Sequence, residues 1–385
     1  MLMRSPHAEQ GKPVIAPAAL RERFDAAEPL RIGLEEELML LDAETLDLAP
    51  RAAELLSRLG GDPRFKLELP AAQIEIATAP ERTVAAATRQ LSVARAQLAA
   101  AAAPDLRLAS AGAHAFAAPR GKLNRGERYD ATRKEYGELA ERQLIFGLHV
   151  HIGVGDADCA VAVHDALRSF LPEIAALAAN APFHDGRDTG LASVRPLICG
   201  LLPRQGVPPA LGSVEAYAAA LQWGERSAAV STPRHWWWGL RLHPTFGTVE
   251  VRAPDAQTTV AETAAIAAVA QALVADLAAR HAAGESLAVA PTWRIEENRW
   301  SASRYGLAGA MADLKTGERE LTARRLARLL DELGDSAQRV GCAAELDSAR
   351  AMLETGGPAG AQRDVAKQHD LYAVVAWLAD RYGAS

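Results

Sequence analysis

Nine residues, GLEEELMLL at positions 33 to 41, set three consecutive carboxylates inside an otherwise apolar run. On a strand, alternation sends Glu35 and Glu37 to one face and Glu36 to the other. Two carboxylates that share a face repel unless a cation or a base lies between them. On a helix, EEEL would be an exposed face of good helix formers. Taken alone the segment fits either element.

Three other segments repeat the pattern. QIEIAT puts Gln73 and Glu75 on one face, GLHVHIG puts His149 and His151, and GTVEVR puts Glu250 and Arg252, each opposite aliphatic residues. Each has a structural explanation by itself. An isolated His-x-His can be hydrogen-bonded at a sheet surface, and a Glu beside an Arg is an ion pair of little worth if exposed. Together they describe a sheet covered by helices on one face, with the other lined by carboxylates, imidazoles and guanidinium. Such a lining suits hard divalent cations and, through them, the phosphates of a nucleotide. Carboxylates outnumber histidines and no cysteine joins the set, so magnesium is the metal expected. Arg128, Arg133, Arg142, Arg195, Arg234, Arg241 and Arg252 lie in or near these segments, and arginine forks suit carboxylates and phosphoryl groups. There is no GxxxxGK[ST] motif and no GxGxxG following a strand. Nor do the serines and cysteines form a triad-like arrangement.

The chain has 385 residues, is 49% hydrophobic and carries a formal net charge of -6. Basic and acidic residues are interspersed, which argues against nucleic acid or an anionic membrane as partner and for small molecules. The N-terminal MLMRSPHAEQGKPV has no apolar core of a signal sequence, and no later run reads as long and apolar enough to span a bilayer. A cytoplasmic protein is expected. Its three isolated cysteines, Cys159, Cys199 and Cys342, read as reduced, buried thiols.

Residues 1–30 read as a flexible tail with a short helix, and 31–385 as one domain. The order of elements suggests an α+β fold rather than a βαβ succession. Helices are expected near 83–103, 156–180, 212–229 and 259–283, with two or three more beyond 318.

The motifs GLEEELMLLDAETLDL, ELPAAQIEIATAP, GLHVHIGV, FHDGRDTGLASVRP, RLHPTFGTVEVRAPDAQ and EENRWSASRYGL occur in an order that resembles the bacterial carboxylate-amine ligases, the YbdK-type relatives of glutamate-cysteine ligase. The resemblance runs from Arg31 to about Asp370. It implies a central antiparallel sheet, distantly like that of glutamine synthetase, forming a funnel for ATP and magnesium. It implies Glu35, Glu37, Glu75, Glu250 and His149 as metal ligands, with Glu68 a weaker candidate and Glu36 off the face. It implies His149, His151, Arg241 and Arg252 around the nucleotide and the transferring phosphoryl group. The activity implied is amide formation through an acyl phosphate, with glutamate and cysteine as default substrates. A homodimer is in keeping with it. Where relatives have WWDVR, GTHPF and SPFW, this chain has Gly239, GAHAF and APFH, which bears on the substrate pocket. Weaker candidates are Tyr129, His114, the tryptophans 236 to 238, Glu296, Glu297, Asn298, Arg299, Arg304 and Arg363. The alternatives are a metal-dependent hydrolase or phosphatase on a dinuclear site, and a non-catalytic nucleotide-binding homologue.

Overall fold

The computed structural model describes residues 16–230 and 232–383, with the side chain of Arg234 outside the description. The strands in chain order are β1 (Ile32–Asp42), β2 (Phe65–Leu67), β3 (Gln73–Ala77), β4 (Leu106–Ala109), β5 (Leu148–Gly153), a separate hairpin of β6 (Phe183–His184) and β7 (Arg187–Asp188), then β8 (Leu240–His243) and β9 (Thr248–Val251). A second small hairpin follows at β10 (Ala310–Ala312) and β11 (Arg319–Leu321). The main sheet runs β2-β3-β1-β5-β9-β8, with β4 paired to the C-terminal end of β1. All its pairs are antiparallel. The fold is α+β with a central antiparallel sheet, as the sequence suggests.

The register carries the function. Glu37 lies opposite Glu75, Glu35 opposite His149, His151 opposite Glu250, and Glu250 opposite Arg241. The four polar pairs therefore share one face. On the other face Leu34, Leu38, Ile74, Ile76, Val150, Ile152, Val249 and Val251 pack into the main core with the helices Val84–Ala102 and Val260–Ala282. Beyond Glu37 the polar face closes. Met39 and Leu41 pack under Val374, Val375 and Leu378 of the C-terminal helix Leu371–Arg381. This is why β1 turns from alternation into the unbroken apolar run LMLL, and why only its first half faces open space.

Several expectations need correction. The helix Val260–Ala282 is long and apolar enough by length and composition to cross a membrane, with a mean hydropathy of 1.6, contrary to the sequence reading. It lies in the core with 83% of that window buried, its alanines allowing close packing against the sheet. The stretch near 156–180 is two helices, Ala157–Leu167 and Leu171–Leu177, parted by a 3-10 turn that precedes Pro172. The stretch near 212–229 shortens to Val214–Arg226. Among the described residues beyond 318 there are five helices, Thr322–Glu332, Gly334–Val340, Ala343–Thr355, Gly357–Gln368 and Leu371–Arg381, divided by turns so short that apolar periodicity alone runs them together. Residues 1–15 of the expected tail lie outside the described residues. The helix Pro17–Asp25 of that tail docks, with Leu20 and Phe24 in the main core and Arg21 bonded to Asp158 and Glu215.

Candidate active site

Above the open half of the sheet lies a cavity of about 430 Å³, within the size range of small-molecule sites, roughly 300–1,000 Å³. Glu35, Glu37, Glu75, His149, Arg241 and Arg252 line it, and His151 and Glu250 lie buried beside it. Two groups of ligand atoms are gathered within 4.8 Å of one another, Glu35 with His151 and Glu250, and Glu35 with Glu75 and His149. Glu35 belongs to both. Glu37 belongs to neither. One of its oxygens accepts from the Gly147 amide, and the other lies 4.0 Å from His149 Nε2.

Arginines bind the far side of this cluster. Arg241 donates to both oxygens of Glu250, through Nε at 2.6 Å and Nη2 at 2.9 Å, and Arg252 Nη1 donates to Oε1. His151 Nδ1 pairs with the Thr248 hydroxyl at 3.0 Å, while its buried Nε2 has no hydrogen-bond partner. That Nε2 faces Glu35 Oε2 at 3.5 Å and Glu250 Oε1 at 3.7 Å. A cation between the three would satisfy all of them. His149 Nδ1 is within reach of both Glu35 and the Arg252 guanidinium, and it can donate to the first or accept from the second but not both.

The titration behaviour follows the charges. Burial pushes Glu37 up to about 7 and Glu75 up to about 8, the latter helped by the nearby Glu35 and Glu68. Glu68, at the rim with Arg128 3.5 Å away, is pushed up by burial to about 7. Burial acts on Glu35 in the same direction, but the neighbouring imidazoles of His149, within hydrogen-bond reach, and His151, 3.5 Å away, hold it well below the usual carboxylate range. Burial of Glu250 is outweighed by Arg241 and Arg252, which hold it ionised. His149 is driven down to about 4 by burial and by Arg252, whereas Glu250 and Glu35 outweigh burial at His151 and raise it.

A family model described as glutamate-cysteine ligase family 2 matches residues 31–371. The chain belongs to this family. It is a ligase. Among its relatives is a protein of Rubrobacter xylanophilus named "Putative glutamate--cysteine ligase 2-3", 38% identical over 94% of this chain and 99% of that one. Another is "Putative glutamate--cysteine ligase 2" of Thermobifida fusca, 34% identical over 90% of this chain and 88% of the relative. The fold resembles glutamate-cysteine ligase of Francisella tularensis, solved in complex with AMP, at a TM-score of 0.69 and 12% identity over 92% of this chain and 88% of that one. It likewise resembles a bifunctional glutathione synthetase of Pasteurella multocida at a TM-score of 0.69 and 16% identity, covering 95% of this chain and 53% of that one.

Within this member of glutamate-cysteine ligase family 2, the cavity also holds residues that the sequence reading did not single out. Lys66 Nζ lies 3.0 Å from Glu75 and 3.6 Å from Glu35, so an ammonium stands between the two carboxylates. Lys66 and Glu68 are themselves a polar pair at i, i+2 opposite β3, a signal obscured because β2 is only three residues long. Arg195, named only as one arginine among several, lines the cavity with its guanidinium against the Arg252 and Ala253 carbonyls. Gly147 lets it approach, since a Cβ there would collide with the guanidinium. Half-buried Cys199 lines the wall too, with its thiol pushed up by burial, while Cys159 and Cys342 are buried as expected.

Tyr129 lines the cavity and donates to the Leu67 carbonyl, and Arg299 lines it while paired to Glu296. Of the three tryptophans, Trp237 lines the wall and Trp236 packs against the main core. The others sit elsewhere. His114 is buried, its Nε2 on the Leu46 carbonyl and its Nδ1 accepting from the Phe116 and Ala117 amides. Arg363 pairs with Asp188, Arg304 lies over Tyr305, Asn298 ties down Ala312, and Glu297 is exposed. Arg133 and Arg142 pair with Glu141 and Glu138 outside the cavity.

Proposed function

We propose that the protein is an ATP-dependent carboxylate-amine ligase that activates a carboxylate as its acyl phosphate and captures it with an amine, with glutamate and cysteine the default pair. The observation that carries this reading is Glu35, shared by two tight donor sets on one sheet face and backed by arginines. Family membership favours it over a hydrolase, and the relatives' names and the AMP complex of the structural neighbour support the substrates and the nucleotide.

The residues present fit magnesium: the donors are mainly carboxylate oxygens, and the orphaned His151 Nε2 faces two of them. Glu35, His151 and Glu250 would hold one ion, and Glu35, Glu75 and His149 a second, with Glu37 beside them. Bound there, the ions would supply positive charge to neutralise the charge developing on the transferring phosphoryl group. Arg252, held by Glu250, presents its guanidinium beside His149, where it can stabilise the transferring phosphoryl group. Arg241 keeps Glu250 in place from the other side. The substrate carboxylate oxygen attacks the γ-phosphorus and ADP departs. The neutral amine then attacks the acyl carbon, the C–O bond to phosphate breaks, the extra proton on the nitrogen passes to the departing phosphate, and inorganic phosphate leaves.

Little covalent chemistry falls to the protein, in keeping with cavity-lining groups that position and neutralise rather than attack. Three free cysteines suit a reducing compartment, and we place the reaction in the cytoplasm. A homodimer belongs to the same proposal, with the exposed Trp223, Trp293 and Trp300 as surface for it.

The test is phosphate release from ATP and magnesium against a panel of carboxylates and amines. Release that requires both an acid and an amine, matched by the mass of the amide, is the expected result. Release that ignores the amine, or none across the panel despite nucleotide binding, defeats the proposal.

A further inference from the structure

The hairpin between β8 and β9 carries HPTFG at one edge of the cavity, and both His243 and Phe246 line it. Their rings stack at 4.2 Å with an interplanar angle of 10°. Phe246 is nevertheless 54% exposed. With His243 covering one face, the ring offers its other face to solvent at the cavity mouth. Both rings meet His151 edge-on, at 5.6 Å for His243 and 5.7 Å for Phe246. The stack therefore adjoins the group of Glu35, His151 and Glu250.

The stack is also held rigidly. The Phe246 amide donates to His243 Nδ1, and Gly247 donates to the His243 carbonyl. Gly247 has φ +67, and a Cβ there would run into the Arg23 carbonyl, so the turn is pressed against the helix Pro17–Asp25. A large exposed aromatic ring on a clamped turn, with one face already stacked, is a preorganised surface for another flat ring.

We propose that Phe246, backed by His243, is the stacking platform for the purine base of the nucleotide. This rests on the ligase reading, in which the terminal phosphates lie at Glu35, His151 and Glu250. The hairpin adjoins that group through His151, so the ribose and base leave the cavity over it. Trp237 is the competing aromatic in the wall, but its ring is already engaged. Arg204 lies over it at 5.5 Å, and Tyr136 and His235 pack against it at 5.5 and 5.4 Å. The assignment also divides the cavity. The base side is β8–β9, and the opposite side, with Lys66, Glu68, Arg128 and Tyr129, is left for the carboxylate and the amine.

Calorimetric titration of the full chain with ATP and with inorganic tripolyphosphate, both with magnesium, tests the platform without requiring turnover. Loss of one base-aromatic stack weakens binding by about tenfold or more. Phe246→Ala is expected to weaken ATP by about that factor and leave tripolyphosphate unchanged, with Phe246→Trp restoring ATP. Phe246 is exposed, so the variant should keep the wild-type melting temperature, which is checked alongside. Equal effects on ATP and tripolyphosphate, no effect on either, or a selective loss of ATP in Trp237→Ala instead, overturns the platform while the ligase reading stands. No ATP binding by the wild type overturns both.

Discussion

Two glutamate-arginine clusters face away from each other across the same sheet. On the helix side, Glu36 is fully buried and takes both forks of Arg95, through Nε at 2.8 Å and Nη2 at 2.6 Å, and accepts from the Thr263 hydroxyl. Arg95 spends its remaining donors on the carbonyls of Gln257, Thr258 and Tyr382, and its guanidinium lies 4.9 Å from the Tyr382 ring. The cluster is saturated and shut off from solvent. It joins β1, the helix Val84–Ala102, the segment before the helix Val260–Ala282 and the C-terminus. On the other side, Glu250 takes two arginines where Glu36 takes one, but His151 Nε2 and Arg252 Nε have no hydrogen-bond partner and Glu35 and Glu75 crowd each other around Lys66. The same residue types serve the fold where every group is satisfied and leave binding capacity where some are not. Glu35 and Glu36 are neighbours in sequence, and one backbone step separates the two roles.

That comparison is open to direct attack. Glu35→Gln should lower amine-dependent phosphate release by about a thousandfold, since one donor is lost to both of the proposed ion sites. Its melting temperature should change little. A large loss of stability with activity per folded molecule intact would place Glu35 with the structural cluster.

Arg95→Met should do the reverse, destabilising the fold by about 3–5 kcal/mol in denaturant titrations by stranding Glu36. Combining it with Glu36→Leu should recover the part due to the stranded charge but not the part due to the Gln257, Thr258 and Tyr382 carbonyls, which still lose their donors. Turnover per folded molecule should stay near wild type. If the double variant folds normally but is inactive, the two faces are not independent.

Lys66→Gln sharpens the open side. With the ammonium gone from between Glu35 and Glu75, magnesium should raise the melting temperature by about 2 °C more than it does in the wild type. An equal shift in both would show that Lys66 does not occupy the cation's place.

The smallest effect comes from a buried group far from either cluster. Burial holds His114 below its ordinary pKa, against the opposing pull of the Leu46 carbonyl. The unfolded chain then binds the proton more readily than the folded one, so stability should be lost as pH falls below about 6.5. The slope from this residue is at most about 1.4 kcal/mol per pH unit. His114→Gln should flatten that part of the stability profile, measured by denaturant titration from pH 7 to pH 5.

How much of this was legible in the chain differs from residue to residue. The paired polar residues of β1, β3, β5 and β9 were readable because alternation is local, and so was their sharing of one face. Lys66 was hidden by the shortness of β2, Arg195 by its position at the start of a five-residue helix, and Arg95 by an alanine-rich helix whose work looked like packing alone. Phe246 and His243 read only as part of a family motif. The C-terminal helices were undercounted because the breaks between them are shorter than one helical turn.

The sequence by itself determined that Glu35 and Glu37 would stand on one face and Glu36 on the other, since a strand's period of two needs no tertiary context. It likewise carried the order of motifs that marks the ligase family. Only the tertiary structure decided how far along β1 the polar face would stay open, because that depends on the C-terminal helix Leu371–Arg381, far away in sequence, and on where it stops covering the sheet. The register of β1 against β3 and β5 then chose the partners of each carboxylate, placing Glu35 in both donor sets and Glu37 in neither. Pairing across strands is set by packing at long range, and a linear pattern cannot record it.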